Sequence, residues 1–214
     1  AVMSFQSFVL RTSRQVILID TCAGNDKERP HRPGWHQQQK PYLATLAAAG
    51  VTPEQVTHVF CTHLHADHVG WNTRLVDGRW VPTFQNARYL FARQEYDFWS
   101  RAHRGAEKRG GEAPNHGAFA DSVLPVVEAG RADIVEADHE IDHGLYLQAG
   151  FGHTPGCCML HAKSGRAHGI FVGDIMHTPV QLAKPTLSSR FCEDAVASAQ
   201  VRAALCETYA GTET

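Results

Sequence analysis

The sequence predicts a single α/β domain spanning residues 1–214. With 43% hydrophobic residues, the chain can bury one sizeable core at a length where one domain is the usual outcome. Short apolar runs recur between turn signals, as expected of strands, and a few segments carry apolar residues at helical spacing instead. Strands and helices that alternate along one chain are typical of an α/β fold.

The first third of the chain supplies a hairpin, a helix and a buried strand. Residues 4–12 and 15–20 read as two strands joined by a turn at Thr12-Ser13-Arg14. After a polar loop over residues 21–41, residues 42–49 have helical spacing and end at Gly50, a common stop residue. The apolar run 56–61 then predicts a buried strand.

The rest of the chain continues the alternation. An Asp77-Gly78 pair between apolar residues predicts a hairpin turn within residues 75–81. Residues 94–101 predict an aromatic-rich helix, and the charged, glycine-bearing stretch 101–117 predicts a surface insertion or lid. The remaining predicted elements are strands at 87–92, 132–136, 145–149, 158–162 and 169–172 and a helix at 194–208.

Charge and hydropathy exclude several classes of partner. Twenty Lys and Arg against 22 Asp and Glu give a net charge of −2, and no basic run is long enough to follow a nucleic acid backbone. No apolar stretch approaches the ~18 to 20 residues that span a bilayer, and no secretory signal is visible. We therefore expect a cytoplasmic protein with no nucleic acid or membrane partner, although a removed export signal is compatible with this sequence.

Six scattered cysteines without a CxxC pair indicate reduced thiols.

The stretch 61-CTHLHADHVGWNT-73 concentrates metal-binding side chains at the end of the predicted strand 56–61. His63 and His65 are two residues apart and can face one cation, while Asp67 and His68 on the next turn can face a second. Imidazole and carboxylate suit Zn²⁺, and also iron or manganese when oxygen ligands are added. The alternative is a surface loop that happens to be rich in histidine, since the chain has 14 histidines.

Two later loops each offer one more ligand. They are 152-GHTPG-156, with His153, and 171-FVGD-174, with Asp174. The bordering glycines allow positive φ and close backbone approach, so each side chain can be held at a fixed angle. Either segment alone could be an ordinary turn, but their order after the histidine motif favours a shared metal site.

Together these three motifs resemble the metallo-β-lactamase-fold hydrolase superfamily. The resemblance implies an αββα sandwich of two mixed β-sheets flanked by helices, with the metal site along one edge. It also implies a first metal bound by His63, His65 and His153, a second bound by Asp67 and His68, and Asp174 bridging both. One or two Zn²⁺ ions per chain are expected.

The segments 62-THLHADHVGWNT-73 and 173-GDIMHTPVQLAKP-185 look most like the lactonase and esterase-like branch, related to quorum-quenching lactonases and methyl parathion hydrolase. This implies that a metal-bound hydroxide cleaves a small lactone or carboxylic ester, with Asp67 as the catalytic residue that orients the hydroxide or moves a proton. Alternatives are phosphotriester or β-lactam hydrolysis, or a truncated relative that binds metal without competent two-metal catalysis.

The sequence departs from the family pattern at both ends. Members usually have a further second-metal histidine well after the bridging aspartate, whereas the last histidine here is His177. They also have strands before the equivalent of residue 4, so the chain is expected to be clipped at both termini. We expect His177 to line the substrate pocket or to replace the missing ligand, and Trp71, Phe98 and Trp99 to form an apolar wall or to fill the core. A homodimer is compatible with the sequence.

Overall fold

The computed structural model describes residues 4–214. The strands within this range are β1 (Phe8–Arg11), β2 (Val16–Ile19), β3 (His58–Phe60), β4 (Thr73–Val76), β5 (Arg79–Pro82), β6 (Arg88–Ala92), β7 (Ala132–Val135), β8 (Glu140–Asp142), β9 (Leu145–Ala149), β10 (Cys158–Ser164) and β11 (Ala167–Phe171). The α-helices are α1 (Tyr42–Ala48), α2 (Ala66–Val69), α3 (Arg93–Arg109), α4 (Leu124–Glu128), α5 (Val180–Ala183) and α6 (Ala195–Tyr209). None of these helices has the length and apolar character needed to cross a bilayer.

The chain forms two compact units. The N-terminal unit runs to Phe91 and also contains Trp99–Ile134, and the C-terminal unit contains Ala92–Phe98 and Val135–Thr214. The mixture of sheets and helices confirms the predicted α/β class.

The N-terminal unit is built on a mixed five-stranded sheet of order β1-β2-β3-β6-β7. The predicted hairpin is confirmed, because β1 and β2 are antiparallel and the hydroxyl of Thr12 accepts hydrogen bonds from the turn residues Arg14 and Gln15. The next two pairings, of β2 with β3 and of β3 with β6, are parallel. Parallel strands end at the same edge of a sheet, so the residues that follow β2 and β3 come together there.

A second hairpin in this unit was also predicted correctly. Strands β4 and β5 are antiparallel and joined by Asp77 and Gly78, with φ of 49° and 73°. Two successive positive φ angles define the tight turn that matches the right-handed twist of the strands, and Asp-Gly is a preferred pair there.

The polar loop over residues 21–41 is anchored by a buried ionic cluster. Arg29 forms two hydrogen bonds with the carboxylate of Asp121, at 2.6 and 2.9 Å. Lys27 is fully buried, donates to the Thr73 hydroxyl at 2.6 Å and lies 3.5 Å from the centre of the Trp80 ring. Burial lowers the pKa of Lys27 to about 7, because removing an ammonium from water disfavours its charged form.

Helix α3 is longer than predicted. The sequence suggested a helix over 94–101, followed by a charged insertion, but the helix runs from Arg93 to Arg109. The charged stretch is the solvated face of this helix, since Trp99, His103 and Ala106 are buried at helical spacing. Gly105 does not end the helix, and the guanidinium of Arg109 folds back beside it. The prediction that residues 101–117 act as a surface insertion or lid stays a prediction.

The C-terminal unit contains a four-stranded sheet of order β11-β10-β9-β8. Its three strand pairings are all antiparallel, whereas the family resemblance implied a mixed sheet. The reason is local, because short turns at Gly144 and Gly165, both with positive φ, join β8 to β9 and β10 to β11. Strands connected by such turns must run in opposite directions.

A buried arginine ties helix α6 to the segment that follows β11. Asp194 caps the helix by accepting from the backbone N–H groups of Val196 and Ala197. Arg202, on the same helix, is fully buried and donates to the carbonyls of Ile175 (2.7 Å) and Leu187 (3.1 Å). The backbone around residues 175–187 is thus held by one side chain.

His161, on β10, is a buried histidine outside any predicted site. Its Nδ1 lies 2.9 Å from Nε2 of His168, and its ring stacks on Tyr146 with a 7° interplanar angle. Burial, together with the nearby His168 and Lys163, lowers the pKa of His161 to about 4.

We predict that His161 makes the protein less stable in acid. In the unfolded chain its pKa is about 6.5, so the unfolded state binds more protons than the folded state below that pH. The contribution of His161 to the free energy of unfolding is fully present above about pH 6.5. It is lost as the pH falls from there through about 4, and this loss lowers the free energy of unfolding by about 2 to 3 kcal/mol. Urea unfolding between pH 4 and 7 measures it.

The variant His161→Phe keeps a ring against Tyr146 and cannot titrate, so it should lose most of this pH dependence. His143→Gln, at an exposed turn position, serves as the matched control and should retain it. Equal pH dependence in the parent and His161→Phe would assign the effect to other groups.

Candidate metal centre

The carboxylate of Asp20 organises the end of the histidine-bearing loop. Asp20 follows β2 and has a φ of 58°, a left-handed conformation that Asp tolerates better than most residues. Its side chain accepts hydrogen bonds from the backbone N–H of Thr62 (2.8 Å), the hydroxyl of Thr62 (2.9 Å) and Nδ1 of His68 (2.8 Å). The parallel pairing of β2 and β3 places these groups side by side.

These hydrogen bonds determine which nitrogens are free to bind a cation. The Thr62 hydroxyl has one proton, which it donates to Asp20, so it accepts at 3.1 Å from the Nδ1–H of His63. His68 likewise donates its Nδ1–H to Asp20. Both imidazoles therefore carry their proton on Nδ1 and present the lone pair of Nε2, which is how partner groups usually orient metal-binding histidines.

His65 completes the pair of histidines predicted for the first metal. Its Nδ1 lies 3.1 Å from Nε2 of His63, and both nitrogens can present a lone pair. Two nitrogens bound to one tetrahedral zinc at about 2.0 to 2.1 Å lie about 3.3 Å apart. The observed separation therefore fits two ligands of one cation.

The far end of the loop is fixed by backbone contact without intervening side chains. The N–H of Gly70 donates to the carbonyl of Cys22 at 2.7 Å, and that of Trp71 donates to Thr21 at 3.0 Å. A Cβ added at Gly70 would lie 1.9 Å from the carbonyl carbon of Ala23. Only glycine allows this approach.

The C-terminal unit holds His153 and Asp174. Nε2 of the fully buried His153 lies 3.3 Å from Oδ2 of Asp174, and Nε2 of His177 lies 3.1 Å from the same oxygen. The other nitrogen of His153, Nδ1, faces the thiol of Cys192 at 3.5 Å. In the GHTPG loop, a Cβ at Gly152 would meet the backbone N of Ser198 at 2.2 Å, so this loop packs directly on the start of α6.

Three histidines and one aspartate form a candidate metal site. The ligand atoms of His63, His65, His153 and Asp174 all lie within 4.8 Å of one another. They come from three separate strand-end loops, as the sequence predicted, and their binding of one cation stays a prediction. Three neutral imidazoles and one carboxylate are the donor set that suits zinc, and their spacing is close enough for one cation. The residues present therefore fit the metal that the sequence motifs imply.

The other predicted site residues are placed as follows. Asp67 lies in the first turn of α2, with Oδ2 4.0 Å from Nε2 of His68, and the rings of His68 and His63 are 4.0 Å apart between centres. Trp71 is buried and stacks on Tyr42 at 5.1 Å. Trp99 is buried too, with its ring centre 5.6 Å from that of His65, whereas Phe98 is half-buried. The second metal and the apolar wall stay predictions.

Four residues at the site were not identified from the sequence. Thr62 and Cys192 lie beside predicted ligands, but a hydroxyl and a thiol in those positions have no distinctive pattern. Asp20 closes a predicted strand, and it could have been found had the pairing of β2 with β3 been known. Asn115 lies in the stretch that was predicted to be an insertion, and its amide bonds to the histidine loop.

Solved structures with the same fold were found by comparison. The hydrolase AbOPH of the β-lactamase superfamily matches with a TM-score of 0.78 and 24% identity, over 97% of this chain and 69% of that chain. AidC, a dizinc quorum-quenching lactonase, matches with a TM-score of 0.74 and 21% identity, over 97% of this chain and 69% of that chain. An N-acyl homoserine lactone hydrolase with product bound at its catalytic metal centre matches with a TM-score of 0.67 and 19% identity, over 94% of this chain and 74% of that chain. The comparison with curated proteins returned no match.

The chain belongs to the metallo-beta-lactamase superfamily, whose family model matches residues 6–199. This membership confirms both the predicted family and the predicted fold class. With its cluster of three histidines and one aspartate, the protein is a metal-dependent hydrolase of the metallo-β-lactamase fold.

We predict that Asp20→Asn weakens metal binding without unfolding the protein. An Asn side chain can still accept from Thr62, but its NH₂ group would face His68 and force the His68 proton onto Nε2. Loss of such a partner typically costs 10- to 100-fold in metal affinity, and we expect a loss of about that size. Competition with a chromophoric chelator measures it.

The control is Asp133→Asn, which alters a partly exposed carboxylate bonded to Arg88, distant in sequence from the metal ligands. It should leave zinc affinity within about two-fold of the parent, because exposed ion pairs contribute little. An unchanged affinity in Asp20→Asn would show that this carboxylate does not orient the ligands.

Proposed function

We propose that the protein is a zinc-dependent hydrolase of a small lactone or carboxylic ester. The observation that carries the proposal is the convergence of His63, His65, His153 and Asp174 within 4.8 Å. Two structures of similar fold support the substrate class, since one is a dizinc quorum-quenching lactonase and the other holds N-hexanoyl-L-homoserine at its catalytic metal centre. A small ester or lactone is therefore the first substrate class to test.

The ligands are assigned by donor type and orientation. In the proposal His63, His65 and His153 would hold the first zinc, Asp67 and His68 would hold a second, and Asp174 would serve as a ligand at this centre. His68 fits this role because Asp20 holds its Nδ1 proton, which leaves Nε2 toward Asp67. The chemistry that bound zinc would supply is a lowered pKa of water, to about 7, and polarisation of the substrate carbonyl.

Hydrolysis adds one water across the acyl C–O bond. The water oxygen ends on the carbonyl carbon, and a proton ends on the leaving alkoxide. We assign that proton transfer to Asp67, whose carboxylate is held in the first turn of α2 and is partly accessible, at 15% exposure. A carboxylate in this position can orient the attacking water by accepting its hydrogen bond and can then pass the proton on.

Substrate contacts are assigned to side chains that flank the histidines. Trp99 is the strongest candidate for the apolar wall, because its ring lies edge-on to His65. Trp71 stacks on Tyr42 and contributes more to packing. His177, hydrogen-bonded to Asp174 at 3.1 Å, is assigned to orient that carboxylate, while Phe98 is a further wall candidate.

We predict that the purified protein holds one or two zinc ions per chain and hydrolyses an acyl-homoserine lactone or an aryl ester. Metal analysis gives the content, and a panel with an aryl phosphotriester and a β-lactam gives the preference. Chelation should abolish hydrolysis and added Zn²⁺ should restore it, because water needs the cation to ionise near neutral pH.

A preference for the phosphotriester or the β-lactam would replace the proposed substrate class by another reaction of the same fold. Metal binding without hydrolysis of any of the four would indicate a metal-binding relative that lacks competent catalysis. Absence of tightly bound zinc, iron or manganese would contradict the proposed site itself.

We predict that Asp67→Asn lowers turnover far more than it lowers stability. The amide cannot accept and return the proton, and loss of a positioned acid or base typically costs about 100- to 10,000-fold in rate. Steady-state kinetics with saturating zinc, together with the thermal unfolding temperature, measure both effects. Asp138→Asn, at an exposed turn, is the matched control and should retain the parent's turnover.

A further inference from the structure

Asn115 holds the peptide groups on both sides of His65. Its Nδ2 donates to the carbonyl of Leu64 at 2.6 Å, and its Oδ1 accepts from the N–H of Ala66 at 3.0 Å. A side-chain amide has the same donor and acceptor spacing as a peptide group, so it can pair with the backbone as a neighbouring strand would. One side chain therefore fixes the backbone before and after a candidate metal ligand.

The two backbone groups bonded to Asn115 lie in a buried environment. Leu64 and Ala66 are each 1% exposed. The N–H of Ala66 belongs to the first turn of α2, where a helix has no internal partner for its donors. Buried peptide groups need a partner, and Asn115 supplies it for both.

The backbone of Asn115, the residue that makes these two hydrogen bonds, is strained. It has φ 50° and ψ 41°, and His116 follows with φ 55° and ψ 22°. Two successive left-handed residues that are not glycine are rare, and Asn is among the residues that tolerate this conformation best. Strain of this kind persists where surrounding contacts over-determine it, and it is concentrated at functional sites.

We propose that Asn115 is a positioning residue for the metal centre. By fixing the peptides around His65, it aims Nδ1 of that imidazole at the point faced by Nε2 of His63, 3.1 Å away. The segment after α3 thus acts on the histidine loop through hydrogen bonds to its backbone. The effect on metal affinity rests on the candidate metal site, and only the effect on catalysis rests on the proposed function.

The test compares three variants loaded with Co²⁺ or Zn²⁺. Asn115→Gly removes both hydrogen bonds and relaxes the left-handed backbone. Asn115→Asp retains the acceptor for Ala66 but places an oxygen against the carbonyl of Leu64. His116→Gly is the matched control, because it relaxes a neighbouring left-handed residue while the hydrogen bond that His116 accepts comes from Arg32.

We expect Asn115→Gly to lower the affinity for the first metal by about 10- to 100-fold, as measured by chelator competition. It should also change the visible Co²⁺ absorption bands, which report ligand geometry and which a loss of global stability alone would not move. Asn115→Asp should show a smaller loss, and His116→Gly should match the parent within about two-fold.

Equal affinity and equal Co²⁺ spectra in the parent and Asn115→Gly would overturn the proposal. If circular dichroism shows that metal-free Asn115→Gly does not fold, Asn115→Asp decides the question by the same comparison, and parent-like values would again overturn it. A parent that binds metal but hydrolyses no ester or lactone would contradict the proposed function and leave the metal-affinity result of this test intact.

Discussion

The histidine loop depends on Asp20, whose carboxylate accepts three hydrogen bonds from Thr62 and His68. The parallel pairing of β2 and β3 brings the ends of both strands to one edge, and Asp20 then connects the end of β2 to Thr62 and His68. This carboxylate sets the proton position on His68 directly and on His63 through the Thr62 hydroxyl. The hydrogen bonds that join the two strand ends therefore also determine which imidazole nitrogens are available to bind a metal.

The loop is also held by groups that are not ionisable. Gly70 allows backbone contact with the segment after β2, and Asn115 pairs with the peptides around His65. Two separate parts of the N-terminal unit, residues 20–23 and Asn115, therefore restrain the histidine motif. Metal sites need such restraint, since ligands that are free to move must lose conformational entropy when the cation binds.

Much of the site could be predicted from the sequence because its ligands are distinctive. His63, His65, His153 and Asp174 are residue types with few structural uses in glycine-bordered loops, and their spacing is typical of one superfamily. Asp20 and Asn115 could not be predicted in this way. The role of Asp20 depends on which strand lies beside β2, and the role of Asn115 depends on two peptide groups that any sequence would present. The length of α3 was missed for a related reason, since packing of its buried face outweighs the helix-breaking tendency of Gly105.

The buried guanidinium of Arg202 has a consequence for the order in which the protein can form during synthesis. It reaches back along the chain to the carbonyl of Ile175, next to Asp174, so the backbone beside that ligand gains this anchor only after α6 has been made. His68 is held by Asp20, and the peptide before His65 is held by Asn115, and both of these residues come earlier in the chain than Asp174. Since chains emerge from the ribosome N-terminus first, the histidine loop can be ordered while the aspartate segment still lacks its anchor. The backbone beside Asp174 thus gains this anchor late, from a helix far along the chain.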